Sequence, residues 1–263
     1  MKPRITEALK PLASATYAGV SLALVWEAVG RILQFHPQVL PVPSRILLEI
    51  WDQAPRLRAH GIISSCEIIG GYLLAVLIAA PVAILITLTP GARRAASPIL
   101  ALLRPAPLVI LTPVFFVWFG FGIRPEVLIA FTLCFFTITW GMLTGLDSAS
   151  PDLIDLVKTM GASRAQLITK VLLPASLPST FKALKAAVPM AVVGATAGEF
   201  AQAETGLGFV TLAASFKLET PMVFAGLTLL GLIGLALYVG VVVLQAAVIP
   251  WHVEATRQPS EFR

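Results

Sequence analysis

Four charged side chains, Glu27, Glu67, Arg104 and Glu199, interrupt stretches of sequence that are otherwise apolar. A charge near the middle of a bilayer costs roughly 2.5 to 3.5 kcal/mol on insertion scales, so each of them must face a partner or a water-filled path. The chemistry open to them is the binding or relay of a proton, an ion or a polar solute. Gly194 and Gly198, small enough for close helix approach, precede Glu199, and Gly206 and Gly208, suited to a tight external turn, follow it. Two readings of Glu199 stay open: a residue near a translocation path or its outer gate, and a headgroup-level acid with a structural hydrogen-bond partner. Glu27 and Glu67 lie nearer segment ends, which favours structural roles, and Arg104 is placed to snorkel or pair near a membrane face. Phe115 joins Glu67 and Glu199 as a candidate for a solute path. It belongs to an aromatic cluster with Phe116, Phe119, Phe131, Phe135 and Phe136, rings that could line a path for a flat aromatic solute but are more often packing or lipid-facing surface.

Covalent chemistry finds no support. G-x-S-x-G and H-E-x-x-H spacings are absent, and His36, His60 and His252 fall in loops or at segment ends, so neither a nucleophile elbow nor a metal site is expected. Cys66 and Cys134 lie in apolar segments with no C-x-x-C partner and read as small buried hydrophobes. The chain also lacks a G-x-x-x-x-G-K-[ST] loop to cradle nucleotide phosphates.

The elements that position these residues must be membrane helices. Apolar residues make up 57% of the chain and charged residues 13%, where a soluble domain shows about 45 to 50% and about 25%. One membrane domain over residues 1–263, with its core at about 60–250, is expected. Six spans are predicted at about 12–33, 61–92, 95–123, 127–146, 183–201 and 220–251, each near the 20 or so residues a bilayer requires. Pro81, Pro105, Pro107 and Pro113 predict bent or offset helices. The basic start, with Lys2, Arg4 and Lys10, is followed by no convincing A-x-A-like site, so the first segment is expected to stay as an anchor. After it, Ile46, Leu47, Ile50 and Trp51 recur at helical spacing and predict a helix lying along the interface. Trp51, Trp118 and Trp251 suit interfacial anchoring.

A net charge of +5 does not imply nucleic-acid binding, because the 19 Lys and Arg stand at segment ends rather than on one face. They read as topology signals. With the N-terminus inside, 12 of them fall on the inner side and 6 on the outer, Arg104 being assigned to a span. The bias places both termini in the cytoplasm.

One stretch between spans is polar. Residues 155–174 follow a helix start at Ser150, Pro151 and Asp152, where a capping hydroxyl, a preset ring and an acid favour the first turn. Leu153, Leu156, Val157 and Met160 share one face of that helix, and Gly161 ends it. Ser163 and Gln166 form an S-x-x-Q capping box for a second helix, with Leu167, Ile168, Val171 and Leu172 on its apolar face. Pro174 is expected to stop this helix before the next span. The product is an elbow at the membrane surface, within about 148–178, whose tip at 160–164 is exposed. On helix pattern alone, an amphipathic loop covering headgroups fits as well.

The spacing resembles the EAA motif of ABC-importer permeases, the loop that contacts the ATPase. Asp155, Leu156 and Val157 stand where E-A-A would, Gly161 is the glycine, and Val171, Leu173 and Pro174 supply the ending; the triplet keeps only its acid. LPVPSRILLEIW from Leu40, LLRPAPLVILTPVFFVWFGFG from Leu102 and GEFAQAETGLGFV from Gly198 are similar to the branch serving nitrate, sulfonate, taurine and thiamine-precursor pyrimidines. The resemblance covers about residues 40–251. It implies an all-α membrane bundle of the type I importer fold in a bacterial inner membrane, with no enzymatic activity and no cofactor in this chain. It also implies a permease pair, which two copies of this chain could form, two cytoplasmic ATPase subunits that use ATP and Mg, and a periplasmic or lipid-anchored binding protein. Asp155, Thr159, Met160, Gly161, Ala162, Ser163, Arg164, Leu167 and Pro174 would meet the ATPase. The cargo implied is a thiamine-precursor pyrimidine first and a sulfonate next. The rival is an ion- or proton-coupled secondary transporter or channel using Glu27, Glu67 and Glu199 as a relay; it should show inverted repeats, and none is evident.

Overall fold

The structure, a computed structural model, describes residues 2–89, 91–103, 108–202 and 204–250. The expectations for Arg104, Pro105, Pro107, Trp251 and His252 lie outside the described residues. Eleven α-helices are seen among the rest, and no strand: α1 (Lys2–Ile32), α2 (Pro43–Asp52), α3 (Ala54–Leu88), α4 (Ala92–Leu103), α5 (Thr112–Phe119), α6 (Ile123–Leu146), α7 (Pro151–Thr159), α8 (Arg164–Leu167), α9 (Leu173–Gln202), α10 (Leu207–Phe216) and α11 (Thr220–Val248). Among the described residues, α3, α6 and α11 are long and apolar enough to cross a membrane by that measure alone. α1 and α9 match them in length but are less apolar.

The core is the trio α3, α6 and α9, and small side chains bring it together. Gly71, Ala75, Ala79 and Ala83 recur every fourth residue of α3, and all are buried. Gly141 and Gly145 repeat the spacing on α6, Gly194 and Gly198 on α9. A Cβ built at Gly194 would lie 2.6 Å from the Ala130 Cα, and one at Gly145 only 2.7 Å from the Ser176 carbonyl oxygen. Such contacts suit lipid, where apolar helix faces gain nothing by leaving the tails and association rests on close packing.

Three expectations need correction. The predicted span 95–123 is broken into α4, a 3₁₀ turn at Leu108–Leu111, and α5. Pro113 sits in the first turn of α5, where a missing N–H leaves no helical bond unmade. Pro174 does not stop its helix. A π turn at Ile168–Leu172 widens the backbone, the Leu173 N–H reaches the Ile168 carbonyl, and α9 continues through Pro174, Pro178 and Pro189. Cys66, expected to be buried, is exposed on α3; only Cys134 is buried.

Candidate functional site

The elbow is closed by backbone hydrogen bonds at its first corner. α7 ends in a Schellman turn: Gly161 donates to the Lys158 carbonyl (2.9 Å) and Ala162 to the Val157 carbonyl (3.3 Å), with Gly161 at φ +79°. Only glycine takes that conformation without strain. The next residues begin α8 with the expected box, the Gln166 N–H donating to the Ser163 hydroxyl (3.3 Å) and the Ser163 N–H to the Gln166 side chain (2.8 Å). At the start of α7 the expectation fails: Ser150 holds the cap position, but its hydroxyl makes no cap bond.

Among the polar residues it exposes, the elbow also leaves large apolar side chains uncovered. Ile154 and Val157 turn inward and are half-buried, while Leu153, Leu156 (57% exposed) and Met160 (78% exposed) face outward together with Thr159, Ser163 and Arg164. Asp155 pairs with Lys158 (3.3 Å) on the exposed side. Leu167, Ile168, Val171 and Leu172 face inward as expected, while Pro174 is exposed. The entrance to the elbow is pinned to the base of α9, since Ser148 donates to the Ala175 carbonyl (3.2 Å). Close by, Arg93 at the start of α4 pairs with Asp147 and donates to the Leu143 carbonyl (3.0 Å) at the end of α6.

From Arg164 to Gln202 the backbone is one helical rod of 39 residues, about 58 Å along its contour at 1.5 Å per residue. Its far end carries Glu199, which is 1% exposed. The carboxylate accepts hydrogen bonds from the Ser64 hydroxyl and from the Gly208 N–H at the start of α10. Ser64 in turn accepts from the Leu207 N–H (2.8 Å), and the Gly206 N–H donates to Nδ1 of His60 (3.1 Å). Gly206 has φ +101°, and a Cβ there or at Gly208 would collide with the Glu199 carboxyl.

Glu67 (0% exposed) and Glu126 (2% exposed) lie beside Glu199. The Glu67 carboxyl meets no backbone or hydroxyl donor, and Glu126 packs against Gly198, where a Cβ would come within 2.9 Å. Glu126, Ser64 and His60 were not foreseen as partners of this site. Glu126 falls just before the predicted span 127–146 and enters the first turn of α6 only because that helix starts at Ile123, and Ser64 and His60 come from a helix more than 130 residues away. Glu27 is tied down elsewhere: it pairs with Arg31 (2.6 Å) and accepts from the Ser44 N–H (2.9 Å) and hydroxyl (2.8 Å), stapling α1 to the start of α2. The rings pack on one another and on the core. Phe115 is half-buried and stacks on Phe119 (6.2 Å between centroids), while Phe131, Phe135 and Phe136 close against the helix trio.

Comparison with known proteins gives one family. Residues 71–252 match the model for binding-protein-dependent transport system inner membrane components. The formylaminopyrimidine transport permease of Halalkalibacterium halodurans is 31% identical over 95% of this chain and 98% of its own length. The taurine transport permease of Escherichia coli is 31% identical over 89% of this chain and 87% of its own. Among solved structures, the inward-facing MetNI methionine ABC transporter shares the fold, with a TM-score of 0.57 at 20% identity over 74% of this chain and 98% of that one. The chain belongs to the family of binding-protein-dependent inner-membrane transport components: it is a multi-pass, non-enzymatic permease subunit of an ATP-driven importer, whose ATPase is a separate subunit. That drive leaves no support for the ion-relay reading of Glu27, Glu67 and Glu199.

Proposed function

We propose that this permease carries a small heteroaromatic solute, a thiamine-precursor pyrimidine before a sulfonate, and takes its energy through the elbow at 155–174. The cargo reading rests on similarity to the formylaminopyrimidine permease along nearly the whole chain, with the taurine permease supporting the second choice.

The observation that carries the coupling reading is the exposed apolar face of α7, turned at Gly161 and continuous through the capping box with the rod of α9. An apolar helix face beside a polar tip fits a groove on a soluble partner. Asp155, Thr159, Met160, Ala162, Ser163 and Arg164 make that contact, and Leu167 and Pro174 fix the base of the elbow. Two copies of the chain form the pore, each a single permease domain over 1–263 with its core at 60–250. Both termini and the elbow face the cytoplasm, where two ATPase subunits consume ATP with Mg, and a periplasmic binding protein delivers the solute from the other side of a bacterial inner membrane. Closure of the ATPases moves the elbows, and the elbows move α9. Phe115, Glu67 and Glu199 lie along the path, the two buried acids behind its wall.

The test is uptake by vesicles holding the chain, a family ATPase and a binding protein. ATP-dependent uptake of labelled aminopyrimidine, out-competed by unlabelled pyrimidine but not by taurine, is the expected result. Uptake without the ATPase would remove the coupling reading, and competition by taurine alone would reverse the order of cargoes.

A further inference from the structure

α10 is a half-length helix. Its ten residues extend about 15 Å, half the hydrocarbon core of a bilayer. A helix this short does not hold itself in place. Along its length it rests on α11, where Gly226 has no side chain and a Cβ would collide with Thr211. At its N-terminus the support comes from elsewhere. Three successive amides, of Gly206, Leu207 and Gly208, are taken by His60 and Ser64 of α3 and by Glu199 of α9, and Ser64 also donates to Glu199. These are amides that a helix start leaves unpaired, and a carboxylate beside them meets the positive end of the helix dipole. The glycines at 206 and 208 leave the room that Glu199 fills.

We propose that Glu199 is a positioning residue of the transport cycle: with Ser64 and His60 it clamps the first turn of α10 to α3 and α9, so that movement entering at the elbow leaves at the α10 turn. The clamp adds to the apolar packing of α10 on α11 and α9 a set of directional bonds to the rod on which the elbow is built. Broken, it leaves α10 folded on α11 but out of step with α9. The inference rests on the elbow being the point where the ATPase acts.

The clamp is tested in the complex of permease, ATPase and binding protein in liposomes. The permease carries Cys66→Ser and a reporter Thr205→Cys, an exposed position beside the turn. The measurement is the rate of labelling by a water-soluble maleimide, without nucleotide and with ATP trapped by vanadate. With the clamp intact the two rates differ by about fivefold or more, and the difference falls below about twofold in Ser64→Ala and Glu199→Ala, as expected when a buried hydrogen bond is lost. Glu199→Gln keeps an acceptor for the Gly208 N–H and retains most of the difference. Binding of the ATPase, read by co-purification, stays unchanged in all three. Equal rates with the clamp intact, a persistent difference in both alanine variants, or equal loss in Glu199→Gln and Glu199→Ala overturns the clamp. Failure of the unaltered chain to bind the ATPase instead removes the elbow reading, and the clamp's role with it.

Discussion

The two ends of the α8–α9 rod satisfy their polar groups in opposite ways. At the elbow, the Schellman turn, the capping box and the Asp155–Lys158 pair are each made within a few residues of chain, and the side chains above them stand in the open. At the clamp, the partners of Glu199 come from α3 and α10, the group is sealed from its surroundings, and each donor sits on a different element. A local device leaves a surface free to meet another molecule. A tertiary device uses its groups to join helices, and so suits transmission within the chain. Between the two runs the glycine-lined seam along which α9 packs closely on α6.

The seam is where the comparison breaks most easily. Gly194→Leu forces a side chain into the backbone of Ala130; overpacking of this kind costs about 1 to 3 kcal/mol, and the expected outcome is a lower thermal midpoint in detergent with both ends affected together. Retention of the wild-type midpoint would mean that the rod is looser than its contacts imply. A smaller and one-sided effect is expected of Gly161→Val, which places a β-branched residue at φ +79° with a strain of about 1 to 2 kcal/mol. ATPase co-purification and uptake should fall about tenfold with insertion intact, and the thermal midpoint should drop by less than in Gly194→Leu. A drop in midpoint equal to that of Gly194→Leu would show the elbow to be structural. The smallest change sharpens the contrast: Asp155→Asn removes an exposed ion pair, which should leave stability unaltered and lower only the ATP hydrolysis stimulated by the binding protein. An unaltered rate of hydrolysis would take Asp155 out of the docking surface.

The elbow could be read so well because its signals are local. Gly161, Ser163 and Gln166 lie within six residues, and the backbone bonds they specify need nothing from the rest of the chain. That reading failed at two places: the Ser150 hydroxyl makes no cap bond, and Pro174 was absorbed by a π turn in a helix held on its inner face by α6. The glycines at 194 and 198 announced close packing but not against what. Glu199 announced a cost without naming the groups that offset it, and Glu126 gave no signal, since a first-turn acid is favourable in any helix.

By itself the sequence determined the solvent, the helical class, the elbow and the family, because apolar composition, heptad-scale periodicity and capping chemistry act over distances of a few residues. Tertiary structure alone decided that α8 and α9 are one rod, that Glu67, Glu126 and Glu199 meet, and that α10 hangs from His60, Ser64 and Glu199. Those outcomes depend on which small residues face each other across helices far apart in the chain, and in lipid it is that fit, rather than hydrophobicity, that selects the neighbours.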